Sequence, residues 1–113
     1  IGTSKTSFGA NFLSCANDLA LFLQKLESNQ LGLTESSRGR LIDAMKRQRY
    51  RQGIPAGAGV TVADKVGFLD AKLHDAAIVY APRGVYVLVI LTDGSSWADI
   101  ASIANQIHTQ ITR

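Results

Sequence analysis

Val60-Thr61-Val62-Ala63-Asp64-Lys65-Val66-Gly67-Phe68 is the stretch whose reading decides the fold. It alternates apolar with small or polar residues, the pattern of a half-buried strand. Val60, Val62, Val66 and Phe68 fall on one face; Thr61, Ala63, Lys65 and Gly67 fall on the other. A lysine among small residues leaves room for a molecule to lie along the strand and meet a positive charge. The alternative is an edge-strand lysine that only discourages aggregation.

Toward the C-terminus, Leu69-Asp70-Ala71-Lys72 reads as a turn and His74 to Ala81 as a second strand. Pro82-Arg83-Gly84 makes another turn. The run from Val85 to Leu91 is continuously apolar and β-branched, a strand to be covered on both faces. Thr92-Asp93-Gly94 ends it, and Ser95 or Ser96 caps a last helix striped by Ile100, Ile103, Ala104, Ile107 and Ile111. Trp97 reads as an anchor packed on the sheet.

Toward the N-terminus, Gln52 to Gly59 is a turn-rich connector without the Gly-Lys-Ser/Thr ending of a phosphate loop. Before it, Thr34 caps a helix with a narrow stripe of Leu41, Ile42 and Met45. An earlier helix, capped by Ser14, spans about Cys15 to Leu26 and ends at Asn29 and Gly32. Ile1 to Phe12 lacks periodicity and reads as a loop or ordered lead-in.

The element order is ααβββα, an α+β fold. Short turns make the three strands an antiparallel meander packed by helices, in a single domain over residues 1–113. So thin a sheet calls for two more strands or another layer, and a five-stranded sheet in the complete fold is what the family resemblance given below implies. If Leu69 to Lys72 closes a hairpin, Gly67 lies opposite His74 and Lys65 opposite Ala76. Lys65 and His74 then converge on one small-residue surface, either as a cationic pair able to hold a carboxylate or with His74 exposed and idle. Asp64 and Asp75 point to the other face, with no partner evident.

Composition narrows the function classes. A net charge of +3 suits an anionic partner without requiring one. Arg38, Arg40, Lys46, Arg47, Arg49 and Arg51 read as a solvated face, and only Tyr50 interleaves with them, so no nucleic-acid interface is expected. Cys15 is the only cysteine, a small buried hydrophobe with no internal disulfide to make. The separated His74 and His108 suggest no metal, and no cofactor is expected. There is no apolar run long enough to span a bilayer, and the start at Ile1 reads as a processed or cut end.

The ordered set of Ile54-Pro55-Ala56-Gly57, Ala63-Asp64-Lys65-Val66-Gly67, Asp75-Ala76-Ala77-Ile78-Val79-Tyr80-Ala81-Pro82 and a terminal helix resembles the C-terminal part of a serine β-lactamase. More broadly it resembles the class A-like branch of the penicillin-recognising hydrolases, from Ser14 onward. The resemblance implies that Lys65 is the motif lysine, supplying positive potential to the substrate carboxylate and the active-site serine. Gly67 would let the substrate lie along the strand, and the Phe68 backbone N–H would be an oxyanion-hole donor. His74 falls near an additional basic group for the substrate carboxylate. Val66 stands where the family carries Thr or Ser, which removes a hydroxyl from that carboxylate's site and argues against efficient β-lactam turnover.

The family's Ser-x-x-Lys nucleophile is absent: Gly2, Phe22, Asp43, Val62 and Leu69 stand three positions before the five lysines. No Ser-x-Asn is present either. The chain alone is therefore expected to be inactive, a C-terminal portion that contributes the Lys-x-Gly strand to an acyl-enzyme site. Its expected partners are a β-lactam or a cell-wall-peptide-like small molecule, and the missing N-terminal segment or chain, or a second copy through an exposed sheet edge. Extracytoplasmic location is implied by the resemblance alone. The alternatives are a non-catalytic relative of that fold and a small α+β interaction domain.

Overall fold

The computed structural model describes residues 14–112; the lead-in expected over 1–12 lies outside the described residues. Helix α1 spans Ala16–Glu27, α2 Glu35–Arg47 and α3 Ile54–Ala58. Strands β1 Thr61–Leu69, β2 Lys72–Ala81 and β3 Gly84–Asp93 follow, and α4 covers Trp97–Ile111.

Cys15, one residue later than expected, takes the N-cap position of α1. The chain leaves that helix through Asn29 at φ 58° and Gly32 at φ 74°, the left-handed region these two residue types tolerate best. Thr34 caps α2 as expected, its hydroxyl accepting from the Ser37 N–H at 3.1 Å. Thr34→Ala should therefore lower stability by about 1 kcal/mol. The check is a urea titration whose midpoint falls while its slope stays constant.

The connector holds a helix that its Gly/Pro content concealed. Pro55 sits in the first turn of α3, where its missing N–H would have had no helical partner. Gly59, left-handed at φ 67°, stops the helix after five residues.

The sheet runs β1-β2-β3, antiparallel throughout. A two-residue turn with Asp70 at φ 55° joins β1 to β2 and sets the anticipated register: Lys65 faces Ala76 and Gly67 faces His74. Ser96 caps α4 by accepting from the Asp99 N–H at 3.1 Å.

Helices cover both faces. On one, Ile54 and Ala58 of α3 and Ile100 and Ala104 of α4 pack on Val62, Ala77, Val79 and Ile90. On the other, Leu23 and Leu26 of α1 and Ile42 of α2 pack on Ala63 and Ile78. The middle of β3 is covered on both sides, Leu88 joining the first cluster and Val87 and Val89 the second, while Val85 and Leu91 at the ends of the apolar run are exposed, short of the full cover expected.

Two of the supposedly solvated arginines are structural instead. Arg38 Nε donates to the Leu26 carbonyl at 2.7 Å and its Nη2 to the Glu27 carbonyl, so it closes the end of α1 onto α2. Arg51 reaches into the sheet, because a carboxylate buried there has to be balanced by a cation.

Candidate functional site

Lys65 and Gly67 lie on β1, which pairs only with β2 among the described residues and so presents a free edge. Over their face opens a cavity of about 440 Å³. Lys65, Gly67 and His74 form its sheet side, and Phe22, Leu41 and Met45 come from α1 and α2. The lining is otherwise apolar, so the Lys65 ammonium is the charge a molecule entering there would meet.

The Lys65 side chain is exposed, and its ammonium donates to the Val66 carbonyl. Val66 is only 4% exposed and borders the same cavity. His74, on β2, is oriented by the third strand. Its Nδ1 accepts from the Thr92 backbone N–H at 3.1 Å, which ties the ring to β3. His74 therefore lines the cavity with an oriented ring, and Lys65 offers the charge. His108 takes no part: its Nδ1 bonds the Tyr86 hydroxyl at 2.6 Å.

Phe68, at the end of β1, is held through its ring. It makes edge contacts to Tyr50 at 5.4 Å and to Trp97 at 6.5 Å between centroids. Those contacts tie the strand segment carrying the Phe68 N–H to α4 and to the connector after α2.

Behind the strand lies a feature that sequence reasoning left without an account. Asp64 and Asp75 are both fully buried on neighbouring strands. Asp64 Oδ1 accepts from Gln48 Nε2 at 2.9 Å and Arg51 Nη1 at 3.0 Å. Arg51 Nη2 donates in turn to the Val62 carbonyl at 2.9 Å. Asp75 Oδ2 accepts from the Ile54 N–H at 2.9 Å, which fastens the start of α3 to the sheet. Burial, then the hydrogen bond and charge of Asp64, push the Asp75 carboxyl up to about 8. The available signal was two aspartates inside apolar strands, a placement that demands a cation from elsewhere in the chain.

The comparisons with known proteins agree with this architecture. No curated protein matches the chain. Its fold is similar to the solved structure of PBP-A, with 25% identity and a TM-score of 0.80 over 90% of this chain and 41% of that one. A mutant of PBP-A, solved as an acyl-enzyme complex with penicillin G, is 24% identical with a TM-score of 0.80, over 99% of this chain and 45% of that one. A beta-lactamase from Sphaerobacter thermophilus DSM 20745 is similar in fold, at 19% identity and a TM-score of 0.66, over 84% of this chain and 38% of that one. The chain thus spans less than half the length of these structures. The family described as the beta-lactamase enzyme family matches residues 3–113, and with the sheet, helices and order of elements in agreement, the chain belongs to that family.

Proposed function

We propose that this chain is the C-terminal portion of a penicillin-recognising serine hydrolase, and that β1 forms one wall of its acyl-enzyme site. The nucleophile would be a serine in a Ser-x-x-Lys motif lying outside this sequence. Its oxygen attacks the carbonyl of a β-lactam or a cell-wall-peptide-like substrate, the C–N bond breaks, and the departing nitrogen takes up the hydroxyl proton.

In this reading Lys65 supplies positive potential to the substrate carboxylate and the serine, and the Phe68 N–H donates to the developing oxyanion. Gly67 leaves room for the substrate against the strand. His74 assists the carboxylate through its Nε2–H. The single observation that carries the proposal is the free edge at β1, with Lys65 and Gly67 set opposite Ala76 and His74 beside an open cavity. In this reading the protein acts outside the cytoplasm, where cell-wall peptides and their mimics are met.

Val66 favours a second reading, a relative that binds such molecules without turning them over, since it lacks the hydroxyl of the family's Thr or Ser. Intact-mass spectrometry of the full-length protein, before and after incubation with a fluorescent penicillin, separates the two. A covalent adduct on the chain bearing the serine is expected. A folded protein that stays unlabelled would sink catalysis and leave a binding module.

A further inference from the structure

We propose that Asp64 and Asp75 share one proton across the β1–β2 pair, the Asp75 carboxylic acid donating to the Asp64 carboxylate, as a positioning lock for the strand that carries Lys65. The argument is one of hydrogen-bond accounting. Asp64 Oδ2 and Asp75 Oδ1 are both buried and find no partner among the described residues. The register sets Asp64 opposite Ala77 and Asp75 opposite Val66, so the two carboxyls are diagonal neighbours on one face of the sheet.

Two carboxylates are acceptors only and cannot bond each other. With one proton between them, every oxygen of the pair has a partner. Oδ1–H of Asp75 reaches Asp64 Oδ2, Asp75 Oδ2 keeps the Ile54 N–H, and Asp64 Oδ1 keeps Gln48 and Arg51.

The charge balances as well. Arg51 is the charged group that faces the pair, and it neutralises one carboxylate but not two. Gln48 contributes a neutral amide from the end of α2, and α3 a backbone N–H. Strand β3 places Ile90 opposite Asp75, and Ile100 and Trp97 of α4 close around Gly53 next to the Asp75 carboxyl. A second negative charge would therefore have no counterpart on any side, and Asp64 lies directly before Lys65 in the strand that it would disturb.

The sign of the pH effect follows. Folding holds on Asp75 a proton that the unfolded chain releases above the ordinary value of 3.8. The native state then binds more protons than the unfolded state, so this group's contribution to stability falls as pH rises from about 4 and levels off above about 8.

The test compares the full-length protein with its Asp75→Asn variant, whose amide can donate to Asp64 and accept from Ile54 with no proton to lose. The melting temperature of the native protein, relative to that of the variant, is expected to drop across that interval and then hold level. A difference that stays constant with pH would overturn the proposal, because a pair with a purely structural role gives no such profile. Should the variant not fold, infrared spectra of the native protein with isotope-labelled aspartate decide the matter. A protonated-carboxyl band between the two values that vanishes above the upper one supports the shared proton, and a fully ionised set of aspartates refutes it. Neither readout depends on the acyl-enzyme reading, so the two proposals can fail separately.

Discussion

Gly57→Ala is expected to lower stability by roughly 3 kcal/mol or more, at or above the upper end of ordinary overpacking. A methyl at that position would sit 2.1 Å from the Ala101 carbonyl oxygen and 2.9 Å from the Ala104 Cβ. The first of these is backbone of α4, so no side-chain rotation relieves the clash and α3 must move away from α4. That movement opens the cluster of Ile54, Ala58, Ile100 and Ala104, every member of which is buried. It also pulls the Ile54 N–H off Asp75.

Against a total stability of about 5–15 kcal/mol, such a loss is a large share. Urea denaturation measures it, with Gly39→Ala as the internal control. Gly39 lies within α2 with nothing within 4 Å of the added methyl, so alanine there should raise stability by roughly 0.4–1 kcal/mol. Equal shifts for the two variants would mean that α3 and α4 do not pack through Gly57.

Lys65→Ala in the full-length protein should slow labelling by fluorescent penicillin roughly 10²–10³-fold, the usual cost of removing one electrostatic stabiliser from an acyl-transfer site. The fold should tolerate the change, because the Lys65 side chain is exposed and, among the described residues, bonds only the carbonyl of its own neighbour. Substitutions of that kind stay within about 0.5 kcal/mol. The rate of adduct formation, followed beside a thermal melt, separates the two effects. Unchanged labelling in a normally folded variant would remove Lys65 from the site while leaving the family assignment intact.

The hairpin was legible because it is local. Asp70-Ala71 allows a two-residue turn, and once that turn is placed the alternation of β1 and β2 dictates every facing pair, Gly67 with His74 included. Helix α3 was hidden for the opposite reason. Pro55 and Gly57 signal turns when read in isolation, yet Pro55 suits a first helical turn and Gly57 is needed for the approach of Ala101.

The orientation of the His74 ring depends on the Thr92 N–H, 18 residues away on a third strand, and no local pattern reports it. Arg51 belonged by composition to a basic cluster. Only the burial of Asp64, 13 residues further along, distinguishes it from its neighbours. Contacts across such separations are set by tertiary packing, which residue spacing does not encode.

The division of the helices between the two faces also has a consequence for synthesis. Helices α1 and α2 leave the ribosome before β1 and β2, which carry the residues that Leu23, Leu26 and Ile42 rest on, have been made. At roughly 5–20 residues per second, their apolar stripes wait several seconds for the meander to emerge. Helix α4 differs in this respect: it follows the strands in the chain and meets a sheet whose consecutive strands have had time to pair. The vulnerable interval thus belongs to the helices made ahead of the meander, and two of these, α1 and α2, wall the cavity over Lys65.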